Sequence, residues 1–351
     1  MAYTTIDNPE LYFQVKLYTG SGANQSITLD GYEDMQPDLV WIKDRTNTNN
    51  QVWTDSVRGV EKVILSNAGN AEATYTDGLT AFNSDGFSLG DDDDGQMNVN
   101  TNACVAWCWK ANGSGSSNTD GTINTTKTSA NTTAGFSINT FEGTGANATV
   151  GHGLGAAPTV LIVKKTSQGA NWGIGSVHID SWTDYVVFGT GAKEDDANFW
   201  NDTAPTSTVF SIGASGNINT DDEDHVAYCF TPIQGFSRFG KFLGTGSANG
   251  SFVYLGFRPA WVVIKKQNSS GSVNWYVFDN KRSPINAVDD FLKVDTSDAE
   301  GGDGNGYLDF LSNGFKLKTS NIGTESGGIF FYMAFAEQPF VNSNGVPCNA
   351  R

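Results

Sequence analysis

Pro37-Asp-Leu-Val-Trp-Ile-Lys43, Pro158-Thr-Val-Leu-Ile-Val-Lys164 and Pro259-Ala-Trp-Val-Val-Ile-Lys265 are three versions of one phrase: a proline, a short apolar run and a lysine. Each is preceded by an aromatic residue and a glycine turn. These are Tyr18-Thr-Gly-Ser-Gly-Ala-Asn24, Phe141-Glu-Gly-Thr-Gly-Ala-Asn147 and Phe242-Leu-Gly-Thr-Gly-Ser247. Each is followed, at near-equal separation, by an aromatic-rich string: Val105-Ala-Trp-Cys-Trp109, Val226-Ala-Tyr-Cys-Phe230 and Phe331-Tyr-Met-Ala-Phe335. An internal repeat of this length fixes where the units begin and end. It also exposes every candidate functional residue to comparison with two counterparts.

The proline-led runs are short, and turn residues follow them: Asp44 to Asn50, Thr166 to Gly169 and Gln267 to Gly271. A run of this length bounded in this way predicts a buried strand. A tryptophan in every unit (Trp53, Trp172, Trp275) is read as opening a second strand that pairs back across that turn. Later come two hairpin signals, Ala81 to Leu89 around Asp85-Gly86 and Asp309 to Leu317 around Asn313-Gly314, where both turn residues tolerate positive φ. The middle unit keeps only Thr208 to Ile212, without the glycine. Ala68 to Thr76 is the one moderate helical candidate. The expected fold is all-β, with three tandem homologous antiparallel β-sandwich domains of jelly-roll or lectin-like type.

The expected boundaries are 1–111 for the first repeat and 112–133 for a Gly/Ser/Asn/Thr-rich linker. Residues 134–232 form the second repeat, 233–340 the third and 341–351 a tail. The linker composition predicts flexibility. The second joint, Thr231-Pro-Ile-Gln-Gly235, is too short for independent tumbling. The expectation is a tight pair of repeats two and three, with repeat one more loosely attached unless it docks through its own surface.

The chain has 351 residues and carries 38 Asp+Glu against 21 Lys+Arg, a formal charge of −17. That balance argues against nucleic acid or an anionic membrane as partner, since both require basic surface. No apolar stretch approaches the roughly 18 residues of a membrane span. The opening residues lack the basic and apolar regions of a signal peptide, so synthesis in a cytoplasm is expected.

The repeat tests the candidate chemistry. Cys104 and Cys108 lie four apart on a predicted strand, about 13 Å at roughly 3.3 Å per residue, whereas a bridge needs Cα atoms within about 7 Å. Cys108, Cys229 and Ala334 share one slot, which reads as a small apolar core position, and Cys348 lies in the tail. Three histidines, His152, His178 and His225, all fall in the middle unit without metal-ligand spacing. The glycine pairs precede strands, not helices, and so are turns, not phosphate cradles. The acidic run Asp91 to Asp94, with Asn98 and Asn100, and its counterpart Asp221 to Asp224 offer Asp91, Asp93, Asp221 and Asp222 as calcium candidates. A solvated charged loop is the simpler reading. Asp295 to Asp303 is a second acidic cluster. Trp41, Trp182, Trp200 and Trp261 are candidates for stacking on sugars, although Trp41 and Trp261 sit within apolar runs that suit a core. No catalytic residues and no cofactor are expected, with calcium as the one candidate ion.

Asn8-Pro-Glu-Leu-Tyr-Phe13, Leu17-Tyr-Thr-Gly20, Pro37 to Arg45, Asp55-Ser-Val-Arg-Gly59, Gly86-Phe-Ser-Leu89, Val105 to Lys110, Gly151 to Pro158 and Tyr332 to Phe340 together carry a resemblance. They are similar to a repeat domain of virion structural proteins from marine tailed bacteriophages, over nearly the whole chain. The resemblance implies a lectin-type sandwich of structural or adhesive proteins and supplies no catalytic residues.

The expected function is therefore a non-enzymatic virion structural protein displayed on the particle exterior. A fibre or spike subunit and a capsid decoration both fit. A host-glycan-binding adhesin is the alternative, and a polysaccharide depolymerase a more distant one. Other capsid or tail proteins are the implied partners, with host surface glycan and self-association as further candidates. The repeat leaves no room for a coiled-coil stalk, which favours a compact appendage. Three units satisfy a threefold environment as one chain, or three chains assemble a trimer.

Overall fold

The computed structural model describes residues 3–268, 273–302, 304 and 306–348. The first third forms β1 (Phe13–Thr19), β2 (Gln25–Ile27), β3 (Leu39–Asp44), β4 (Gln51–Asp55), β5 (Lys62–Leu65), β6 (Ala73–Thr74), β7 (Leu79–Asn83), β8 (Gly86–Leu89) and β9 (Ala103–Trp109). The middle third forms β10 (Lys127–Asn131), β11 (Phe136–Glu142), β12 (Ala148–Gly151), β13 (Val160–Lys165), β14 (Gly173–Ser176), β15 (Asp184–Tyr185) and β16 (Glu194–Asp195). It continues with the one-turn helix α1 (Ala197–Trp200), β17 (Val209–Ile212) and β18 (Asp224–Phe230). The last third forms β19 (Ser237–Gly244), β20 (Phe252–Tyr254), β21 (Phe257–Lys266), β22 (Tyr276–Asp279), β23 (Leu292–Lys293), β24 (Leu308–Leu311), β25 (Gly314–Leu317) and β26 (Gly328–Pro339).

Three major sheets run β1-β9-β3-β4-β5-β6, β10-β11-β18-β13-β14 and β19-β26-β21-β22-β23. In each, the aromatic-rich strand lies between the glycine-turn strand and the proline-led strand. The register repeats as well, with Val40, Leu161 and Val262 opposite Cys108, Cys229 and Ala334. Smaller sheets, β2-β8-β7, β12-β17 and β20-β25-β24, accompany the three thirds in turn. Both hairpins form, but the turns sit one residue earlier than expected: Asn83 pairs with Gly86 and Leu311 with Gly314, so Ser84-Asp85 and Ser312-Asn313 make the turns and the two glycines open the return strands. A Cβ on Gly86 or Gly314 would collide with the carbonyl of Ile27 or Val253, so the strand beside each hairpin demands glycine.

Side-chain alternation explains the repeated phrases. On β3, Val40 and Ile42 face the core of the first sandwich, with Ala106 and Cys108. Leu39 and Trp41 face the other way. The same split separates Leu161 and Val163 from Val160 and Ile162, and Val262 and Ile264 from Trp261 and Val263. The second face of all three major sheets points into one shared core, where Trp41, Trp107, Tyr228, Phe230, Trp261 and Phe335 meet. Strands buried on both faces read as unbroken apolar runs. The shared core closes to a void of about 20 Å³ lined only by apolar and aromatic residues, a dry gap of about one water's size.

Directional hydrogen bonds close the three thirds into a ring. Gln51 Nε2 donates to the Lys293 carbonyl at 2.6 Å, Trp172 Nε1 to Leu65 at 2.8 Å and Trp275 Nε1 to Val187 at 2.8 Å. Each third thereby reaches into a different neighbour: first to last, middle to first, last to middle. The lysines that end the proline-led runs do the same. Lys43 Nζ reaches Ser297 O at 3.2 Å, Lys164 reaches Gly69 O at 3.2 Å and Lys265 reaches Gly189 O at 2.6 Å. All three are fully buried, and burial pushes each down to about 8.

Several expectations change. The first third is not loosely attached, because Trp41, Trp53, Trp107 and Trp109 all sit in the shared core. Within the stretch 112–133, β10 extends the middle major sheet by pairing with β11, and Asn112 donates to Ser129 Oγ at 2.8 Å. Its polar residues cap backbone groups, and an edge strand needs no apolar run. Ala68 to Thr76 contains β6 and no helix; Lys62 and Val63 of β5 pair with Thr74 and Ala73, and that pairing overrides a weak helical preference. The tryptophans Trp53, Trp172 and Trp275 are not equivalent. Trp53 lies opposite Trp41, as Ile174 does Ile162 and Val277 does Val263, whereas Trp172 and Trp275 share the role of Gln51. In the middle third β17 pairs with β12, and no partner corresponding to β7 is present among the described residues. Ser269 to Gly271 of the third predicted turn lie outside the described residues.

Candidate functional site

The glycine turns are locked by the loop before each aromatic-rich strand. The N–H groups of Gly22, Gly145 and Gly246 donate to the carbonyls of Asn98, Asn219 and Glu325. The side chains of those same residues accept from the preceding N–H groups: Ser21 at 2.8 Å, Thr144 at 2.8 Å and Thr245 at 3.0 Å. Asn98 is thereby committed to holding the turn, which takes it out of the calcium reading.

The calcium candidates are placed apart from one another. Asp91 and Asp93 are exposed, while Asp92 between them is buried and accepts from the N–H groups of Met97 and Asn98. Asp221 and Asp222 are exposed in the corresponding loop of the middle third. Among the described residues no three His, Cys, Asp or Glu side chains converge to hold a metal ion. In the second acidic cluster, Asp295 accepts from Trp275 N, Asp298 pairs with Lys293 and Glu300 with Arg45 and Arg282. Asp303 lies outside the described residues.

The histidines are also separate. His152 is buried, with its ring between Leu154 N and the Thr206 carbonyl, and burial lowers its pKa. His225 stacks on Phe141 at 5.3 Å and bonds the Glu223 carbonyl through Nδ1; burial pushes it down to about 4, so it is neutral at physiological pH. Trp182 and Trp200, candidates for sugar stacking, are buried against each other at 6.0 Å in the middle sandwich, so neither offers a face to a ligand. The described cysteines are free, and Cys108, Cys229 and Ala334 are each fully buried in a sandwich core.

His225 lines a depression of about 240 Å³ together with Arg58, Glu72, Lys127 and Asp224, and His178 lines a larger one. The joint between the middle and last thirds opens into a depression of about 480 Å³, lined by Tyr3, His178, Gln234, Arg238, Phe239 and Tyr254 with Pro232, Ser237 and Leu255. That size falls within the range of small-ligand sites. β20 alternates exposed Phe252, buried Val253 and exposed Tyr254, so strand periodicity turns two aromatic rings outward. Arg238 lies over the Tyr254 ring at 5.7 Å. Tyr3 donates to the Gly256 carbonyl at 2.9 Å, and the adjacent Thr4 hydroxyl donates to the Gln234 carbonyl at 2.7 Å, which fixes the N-terminal segment across the joint. Burial, together with the charges of Lys241 and Arg238, holds His178 below its ordinary imidazole value. None of the residues lining the cleft is Asp or Glu, although the chain as a whole carries 38 of them.

Sequence reasoning named His178 but missed Tyr3, Arg238 and Tyr254. The one usable signal was the alternation Phe252-Val-Tyr254, an aromatic pair on the solvent face of a short strand. No described helix is long and apolar enough to cross a membrane. A comparison with curated proteins finds no match. Residues 8–339, which span all three major sheets, match a family profile described as a domain of unknown function (DUF7483), and the chain belongs to that family.

Proposed function

We propose that the protein is a non-enzymatic structural component of a tailed-bacteriophage particle, displayed on its exterior as a compact appendage. A fibre or spike subunit and a capsid decoration both remain within this reading, with capsid or tail proteins as partners. The observation that carries it is the single aromatic core shared by three sandwiches, which makes the chain one rigid body and not a string of mobile modules. The three thirds are read here as copies of one unit that closed into a ring within one chain, which favours a monomer as the assembling piece. The resemblance of the repeated segments to virion proteins is what supports the location. Mass spectrometry and cryo-microscopy of purified particles test the proposal; absence of the chain from washed virions overturns it.

A second reading, adhesion to a host surface glycan, draws support from the cleft beside Tyr254 and Arg238. It is compatible with the first, since a displayed appendage can also adhere. Retention on host polysaccharide, with and without calcium, tests it.

A further inference from the structure

The cleft at the joint of the middle and last thirds combines three features that a charge-poor structural seam does not require. The first is an exposed ring: Tyr254 is 46% exposed on a strand whose alternate residue, Val253, is buried. Aromatic faces of this kind stack on the apolar face of a sugar ring, and since Arg238 lies over one face of this ring at 5.7 Å the sugar is assigned to the other. The second is an unneutralised guanidinium. Arg45, Arg58, Arg258 and Arg282 are each paired with carboxylates, whereas no carboxylate lies at salt-bridge distance from Arg238 or Lys241 among the described residues. In a chain of net charge −17, that arrangement leaves a local positive field facing an open volume. The third is rigidity. Tyr3 and Thr4 are tied to Gly256 and Gln234, so the wall is built by chain segments far apart in sequence.

From these features we infer that the cleft of Tyr3, His178, Arg238 and Tyr254 binds an acidic saccharide, with its carboxylate on Arg238 and a sugar ring against Tyr254. The inference rests on the glycan-binding reading and narrows it to a ligand class and a place. Arg suits a carboxylate because its planar donors engage both oxygens. His178 and Gln234 add polar groups to the lining for sugar hydroxyls.

The full-length protein would be titrated by calorimetry with 3′-sialyllactose, trigalacturonate and trimannuronate, with lactose and inorganic phosphate as controls. Binding of at least one acidic sugar, with lactose at least tenfold weaker, is expected. Arg238→Gln and Tyr254→Ser should each weaken that binding at least tenfold, with unchanged melting curves showing that both variants fold. Binding that neither variant alters overturns the site while leaving the glycan-binding reading standing. Equal binding of lactose overturns the acidic class, and phosphate binding alone shows an anion site and overturns the saccharide. Failure of all three acidic sugars to bind overturns the inference, whereas failure on whole host polysaccharide removes the glycan-binding reading itself.

Discussion

Two of the three junctions in the ring turn on a buried carboxylate, and the third does without one. At the junction of the first and last thirds, Trp107 Nε1 donates to Asp279 at 3.0 Å, and Asp279 holds Arg282 at 2.6 Å. Where the middle third meets the first, Tyr228 donates to Asp55 at 2.7 Å, and Asp55 holds Arg58 at 2.6 Å. Where the last third meets the middle, the corresponding residues are Met333, Ser176 and Ile179. The same architecture therefore accepts either a complete triad with a buried ion pair or an uncharged replacement. That tolerance agrees with the general finding that a buried ion pair contributes little beyond a well-packed apolar substitute, although breaking it is costly.

The comparison is broken most severely by removing one partner only. Asp279→Ser should leave Arg282 with Glu300 as its remaining carboxylate and Trp107 Nε1 without its acceptor, and destabilise the protein by about 3 kcal/mol in denaturant unfolding. The double change Asp279→Ser with Arg282→Ile copies the middle third and should recover a large part of that loss. A double variant no better than the single one would show that the uncharged junction depends on its own packing. Next in size are the tryptophan bonds that cross the ring. Trp172→Phe should cost roughly 1–3 kcal/mol, because the Leu65 carbonyl loses its donor. Trp261→Phe should cost less, since its indole N–H is buried without a partner. Equal losses would mean that ring volume, not hydrogen bonding, governs both sites.

The three buried lysines provide a pH test that treats the junctions alike. Each is pushed down to about 8 by burial, against about 10.4 in an unfolded chain. Between those values the unfolded chain binds more protons at each lysine than the folded one, so each lysine makes stability rise with pH from about 8 to about 10, while the buried thiols of Cys104, Cys108 and Cys229, pushed up by burial, oppose that rise above about 8.5. The slope approaches about 1.4 kcal/mol per pH unit for each lysine. Lys164→Met should lower the slope by up to that amount, one third of the lysine contribution, measured by urea unfolding from about pH 8 upward. An unchanged slope would place the titration elsewhere. The smallest effect belongs to the shared core slot. Cys229→Ala reproduces the residue found at Ala334 and should cost under about 1.5 kcal/mol, read from the shift in melting temperature.

Much of the fold was legible because the repeat is local in sequence. The proline-led strands, the aromatic-rich strands, the hairpins and the small slot at Cys108, Cys229 and Ala334 all follow from strand periodicity and turn chemistry. The cleft was not legible, because Tyr3, His178, Arg238 and Tyr254 come from four separate segments with no common motif. Trp182 and Trp200 misled for a related reason. Each stands outside an apolar run, and only packing in the middle sandwich buries it. The stretch 112–133 read as flexible because composition records side-chain polarity and carries no information about an open sheet edge at β11.

By itself the sequence determined that strands of these lengths form, where they turn and which residues are interchangeable among the three thirds. Those properties depend on neighbours a few residues away. Only the tertiary structure decided that the second face of every major sheet meets in one core, and that a lysine repeated in each third pins a different neighbour. Both faces of such a strand look equally apolar in the sequence. Which one faces its own sandwich and which one faces the ring is set by contacts far apart in sequence, such as the lysine bonds across the ring, which join residues 76 to 254 positions apart.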